Sequence, residues 1–209
     1  MPELRRLLIG DRPAAWAEAG FAVDDDRTTL GTVEIRFVDG AEPGLRGWEL
    51  AGVDGGAGWP DQLDGIPTDH TSDPAPEPVA HPNGVTRLDH VVIMTPDLPR
   101  TIGRLESVGF EARRTRDVPG TEPARRQVFL WAGEPILEVV GTVEPSGDGP
   151  ASLWGLALTT DDLDGAAELL GPRISPPKDA VQPGRRIATI DSRALDIGVG
   201  LALMTPHVR

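Results

Sequence analysis

The chain has 209 residues, 39% of them hydrophobic, which is enough to bury one large core or two small ones and too apolar for a disordered chain. Its 33 acidic against 20 basic residues give a formal charge of −13 and a pI near 4.6, which disfavours nucleic acid or an anionic membrane as a partner. No cysteine is present, so disulfides, thiolate metal sites and a cysteine nucleophile are excluded.

At the amino terminus Arg5 and Arg6 precede Leu7, Leu8 and Ile9, an apolar run too short for a signal peptide or a membrane span; the expected location is the cytoplasm. Residues 4–53 read as strand, short helix and three strands. LRRLLIGD is the first strand, Asp11 a helix cap, Ala15, Trp16 and Ala19 a helix face, and Gly20 its stop. FAVDDD, TVEIRFVDG and LRGWELAGV follow as strands. From Asp54 to Thr86 the chain is rich in Pro, Gly and Asp without sustained periodicity, which predicts a linker wrapped over the surface.

The stretch from Arg87 to Gly141 repeats the same unit more clearly. In LDHVVIMTPDL, Leu88, His90, Val92 and Met94 share one strand face. Asp97 is a plausible N-cap, Leu98, Ile102, Leu105 and Val108 recur at helical spacing, and Gly109 suits the C-terminal cap. RRQVFLWAG and PILEVVG are strands, and Glu138 is a lone carboxylate in the second. A charge among apolar neighbours is costly unless paired or metal-bound, so His90 and Glu138 are expected to be partners.

After the turn-rich PSGDGP segment, LWGLALTTDDL aligns without gaps on LDHVVIMTPDL. Asp162, Leu163, Ala166, Ala167, Leu170 and Gly171 repeat the capped helix, and RRIATI matches RRQVFL. This copy places Gly155 opposite His90 and Gly198 opposite Glu138. In the amino-terminal copy, aligning WELAG with LEVVG places Glu49 opposite Glu138 and Arg6 opposite His90. The fold class is therefore α+β, built of repeated βαβββ modules. The expected division is a degenerate module over 1–56, a linker over 57–83, and a domain over 84–209 made of modules 84–144 and 151–207.

A repeated strand-helix-three-strand unit, with His in its first strand and Glu in its last, resembles the vicinal oxygen chelate superfamily of glyoxalase-like, bleomycin-resistance and extradiol-dioxygenase proteins. The segments His81-Pro82-Asn83-Gly84, LDHVVIMTPDL, ILEVVG and QPGRRIAT carry the resemblance. It implies two modules packed edge to edge into a cup over a divalent metal (Zn, Fe, Mn or Ni) held by His90 and Glu138. A third donor could come from His81, Gln182, Gln127 or another chain. It implies a small-molecule enzyme, a metal-dependent lyase, isomerase or dioxygenase acting on an oxygen-bearing substrate, with Glu138 and His90 as the catalytic pair. The alternative is a metal-free binding or resistance protein of the same fold.

Gln182-Pro183-Gly184-Arg185-Arg186 is the second candidate element: Pro-Gly turns the chain, and one of Arg185 and Arg186 points into the cup to bind an anionic group. Trp131 and Trp154 occupy strand positions from which an aromatic can line a pocket, Trp154 as a substrate contact, or pack in the core. No Gly-rich phosphate loop and no GxSxG elbow is present. The unpaired amino-terminal module would leave a free sheet edge, which predicts a homodimer through that module.

Overall fold

The computed structural model describes residues 1–56 and 58–207. Position 57, where the expected linker starts, and positions 208 and 209, where the expected last domain ends, lie outside the described residues. Two mixed sheets account for the chain. The first contains β1 (Glu3–Ile9), followed by helix α1 (Pro13–Glu18), β2 (Arg27–Leu30), β3 (Val33–Phe37), β4 (Leu45–Ala51), β5 (Gln62–Leu63) and β6 (Ile66–His70), in the order β2-β3-β1-β4-β6-β5. The second contains β7 (Val85–Met94), helix α2 (Leu98–Ser107), β8 (Ala112–Val118), β9 (Arg125–Trp131), β10 (Ile136–Thr142), β11 (Ser152–Thr160), helix α3 (Leu163–Leu170), β12 (Lys178–Asp179), β13 (Arg186–Thr189) and β14 (Gly200–Met204). Its order is β12-β13-β14-β11-β7-β10-β9-β8.

The second sheet is two βαβββ modules joined edge to edge. β7 and β11 lie antiparallel at its centre, and each runs parallel to the last strand of its own module, β10 and β14. Both helices start as the residue pattern requires. The Asp97 carboxylate accepts from the Arg100 N–H at 3.0 Å, and the Asp162 carboxylate from the Gly165 N–H at 2.8 Å. Gly109 follows α2 in the left-handed region, where a side chain would be strained. Alternate strand residues Val91, Ile93, Val128, Leu130, Leu137 and Val139 are buried, leaving the intervening residues for the other face. One continuous apolar cluster runs through both sheets, from Leu4 to Leu203.

The amino-terminal sheet departs from the expected single module. FAVDDD forms no strand, only an isolated bridge between Asp24 and Arg27. The strand parallel to β1 is therefore β3, and β4 lies antiparallel to β1 as β11 does to β7. Residues within the expected linker complete the sheet: β6 pairs parallel to β4, and β5 pairs with β6. The unit is a second pair of modules, worn down and lacking its second helix. By this topology and register Arg36 on β3, rather than Glu49 on β4, stands where Glu138 stands. The free edge that motivated a homodimer is covered by β4 within the chain.

Asp11 is not the helix cap. Arg12 holds that position, and the Asp11 carboxylate instead accepts from Gly44 N–H (2.8 Å), Gly198 N–H (2.9 Å) and the Trp16 indole (3.1 Å). It thereby ties β1 to the loop before β14. The His81-Pro82-Asn83-Gly84 segment is likewise a fastening. His81 Nδ1 accepts from Ala22 N–H, its Nε2 lies 2.7 Å from the Thr29 carbonyl, and the Asn83 amide donates to the Ala19 carbonyl. Among the described residues no helix is long and apolar enough to cross a membrane.

Candidate functional site

A cleft of about 850 Å³ opens on the second sheet. Seven of its eight strands contribute wall residues, so the sheet curls round the cleft as a cup. His90 on β7, Gln127 on β9 and Glu138 on β10 form one polar corner, with Arg116 on β8 beside them, its Cα paired in register with Gln127. His90 Nε2 lies 3.1 Å from Glu138 Oε2, and the Gln127 amide donates to Glu138 Oε1 at 2.6 Å. The expected partnership of His90 with Glu138 is thus the geometry found.

Behind this corner stands an array that residue patterns did not reveal. His90 Nδ1 lies 2.9 Å from Asp89 Oδ1, and the Asp89 carboxylate accepts from both Arg185 Nη atoms, at 3.3 and 2.6 Å, and from the Thr159 hydroxyl at 3.2 Å. Arg185 is wholly buried. Its remaining donors reach the Thr205 carbonyl (2.7 Å) and Gln182 Oε1 (2.8 Å), and His207 Nε2 lies 3.2 Å away. Burial disfavours a charge on His90, but hydrogen bonds and opposite charge from Asp89 and Glu138 outweigh it and push its pKa up to about 9. Burial would raise the Asp89 carboxyl, yet the bonds from His90 and Arg185 and their charges hold it well below the usual carboxylate range. These contacts favour the protonated ring of His90, with a carboxylate at each nitrogen, and a cation bound at Nε2 would take the place of that proton.

The other candidates scatter. Arg185 faces Asp89, not the cleft, and Arg186 lies on the surface in an ion pair with Asp164 at 2.7 Å. The arginines that line the cleft are instead Arg116 and Arg193, neither of which forms an ion pair among the described residues. Gln182 lines the cleft while accepting from Arg185. His81 is committed to the amino-terminal sheet, where burial pushes its pKa down, so Gln127 is the one proposed third donor that joins the corner. Neither tryptophan packs in the core. Trp131 is 38% exposed, and Trp154 is 61% exposed on the cleft wall. The β7–β11 register skips between Leu153 and Gly155, so Trp154 is the extra residue of a bulge, a device that re-aims a side chain.

The register also corrects the comparison of modules. His90 pairs with Ile136 and Gly155 with Gly200, so Glu138, two residues on, corresponds to Ala202 and not to Gly198. Gln127, opposite Val140, corresponds to Ile187, opposite Met204. All three polar positions of one module are small or apolar in the other.

Among the described residues no group of three His, Cys, Asp or Glu side chains could hold a metal ion. A cation here would need Gln127 beside His90 and Glu138; Gln127 Oε1 is buried with no hydrogen-bond partner. One imidazole nitrogen and two oxygens suit zinc, iron or manganese.

Solved structures share this architecture. An extradiol ring-cleaving dioxygenase from B. fuscum matches with 15% identity and a TM-score of 0.63, over 99% of this chain and 72% of its own. A xylose isomerase-like TIM barrel/4-hydroxyphenylpyruvate dioxygenase fusion protein matches with 13% identity and a TM-score of 0.62, over 99% of this chain and 49% of its own. A methylmalonyl-CoA epimerase from Mycobacterium tuberculosis is 21% identical over 60% of this chain and 91% of its own, with a TM-score of 0.46. No family model and no curated protein matches the sequence. At these identities the likeness is one of fold, and it agrees with the expected α+β architecture of paired βαβββ modules.

Proposed function

We propose that the protein is an enzyme acting on an oxygen-bearing small molecule at the His90–Gln127–Glu138 corner. The observation that carries this is the convergence of three polar side chains from three strands on one wall of the cleft. The Glu138 carboxylate, oriented by Gln127 and His90, is placed to take a proton from a substrate carbon or hydroxyl. Arg116 supplies positive charge to an oxygen that becomes negative as the proton leaves. Asp89 and Arg185 keep the imidazole ring from turning.

A divalent metal would be held by His90, Glu138 and Gln127, where it would polarise a carbonyl or enolate oxygen as a Lewis acid. Lyase, isomerase and dioxygenase chemistry are all compatible with such a corner. The test is turnover in a screen of those reactions with zinc, manganese, iron(II) or nickel added. Activity that disappears with chelator and in His90→Ala supports the metal-dependent enzyme; activity indifferent to both refutes it.

A second reading, a metal-free binding protein, is favoured by one observation: both His90 nitrogens already face carboxylates at 2.9 and 3.1 Å. A binder of this kind keeps its ligand affinity in the presence of chelator.

A further inference from the structure

The far wall of the cleft holds a feature that the reaction corner does not use. Residues 189–193, at the end of β13 and just beyond it, line the cleft consecutively, and Ser192 Oγ among them is buried with no hydrogen-bond partner. A hydroxyl stripped of water and left unpaired costs free energy unless something arrives to pair with it. Beside it Arg193 lines the cleft, exposed and without an ion pair among the described residues. Asp191 is at the same end, but its Oδ1 accepts from the Ala194 N–H at 3.2 Å. A neutral donor and a guanidinium side by side are the complement of a carboxylate.

The position of this pair sets the ligand's length. From Glu138 on β10 to β13 the sheet order counts four strand spacings, β10 to β7, β11, β14 and β13, an arc of roughly 19 Å. The curl of the sheet makes the direct path shorter than this arc, and a ligand that engages both ends has to span that path. Between them the wall is apolar, with Leu156, Ile187, Ile190, Leu201 and Met204, and with Ala157 and Ala202 leaving room where longer side chains would fill the cup.

We propose that Ser192 and Arg193 form a second anchor, and that the ligand is a carboxylic acid whose acid group is separated by an apolar body from the oxygen that reaches His90, Gln127 and Glu138. This deepens the reading of the cleft as a reaction site and rests on it for the assignment of the near end. The far end stands on its own observations.

Calorimetric binding of 10-hydroxydecanoate, its methyl ester and 4-hydroxybutyrate tests the proposal. The intact protein is expected to bind the long acid roughly tenfold or more tighter than the ester, and to bind the short acid at least as much more weakly. In Arg193→Gln and Ser192→Ala the preference for acid over ester shrinks, while the affinity for the ester is kept. This contrast reads only the far end, so failure of the reaction-corner reading leaves it standing. Equal affinity for acid and ester, an unchanged preference in Arg193→Gln, or no binding of the long acid at millimolar concentration overturns the proposal.

Discussion

The two halves of the eight-stranded cup share a scaffold and differ in chemistry. Each has a capped helix, a central strand and a parallel last strand in equivalent register. One presents His90, Gln127 and Glu138; the other presents Gly155, Ile187 and Ala202 at the same places. The difference teaches that the repeat preserves what folding needs and leaves the concave face free to diverge. Under the proposed function one half would hold the reactive groups and the other would make space. The halves are not independent, since Arg185 of the apolar module supplies the guanidinium that neutralises Asp89 behind His90.

That dependence gives the largest expected effect. Replacing Arg185 by Met leaves the Asp89 carboxylate buried and short of its main partner, and removing one member of a buried pair costs about 3–5 kcal/mol. A urea-unfolding midpoint within error of the native value would show that the modules do not lean on each other in this way.

Next comes pH. His90 is charged in the folded protein up to about pH 9, but in the unfolded chain only up to its ordinary value of 6.5. Its folded pKa is raised, so the stabilisation is complete below 6.5 and is lost as pH rises through 9. At 1.36 kcal/mol per unit, the shift corresponds to at most about 3 kcal/mol. The chain has no tyrosine, no cysteine and a single lysine, so few other side chains titrate between pH 7 and 10. With chelator present to keep any metal off His90, stability measured at pH 6 and pH 10 should therefore fall in the native sequence and stay nearly level in His90→Gln.

The smallest effect belongs to the shared scaffold. Asp97→Ala and Asp162→Ala each remove one helix cap and are expected to cost about 1 kcal/mol apiece, equally in both modules. Thermal unfolding of the two variants side by side checks that equality, and a marked inequality would mean that one module carries most of the fold.

Much of this half of the molecule was legible in the sequence, because periodicity and caps are local. The gapless match of residues 153–163 on 88–98 predicts the helix caps and the central strands correctly. The amino-terminal half was less legible. Its strand parallel to β1 is β3, and β5 and β6 fall in a Pro- and Gly-rich stretch where a two-residue strand leaves no periodicity to read. Its counterpart of the site shows the same drift: Arg6 stands in the place of His90 and is clamped by Glu34 at 2.6 Å, by Asp73 at 2.9 Å and by Glu49. That cluster satisfies itself and presents no free donor set.

Within the site, His90 and Glu138 were conspicuous as charges in apolar strands. Asp89 was not, because its partners Arg185 and Thr159 lie 96 and 70 residues away and only the fold brings them together. Arg116 was hidden among the arginines of an edge strand, where nothing in the sequence marks which one faces inward. Trp154 turns into the cleft through a bulge, which strict alternation does not foresee.

The central claim is that the polar half of the cup is the working half. Elemental analysis of protein purified without chelator or affinity metal, beside His90→Ala and Glu138→Ala, tests it most directly. The account predicts near-stoichiometric divalent metal in the native protein and its loss in both variants. No metal after incubation with zinc, manganese and iron, or metal retained equally in all three proteins, would contradict it.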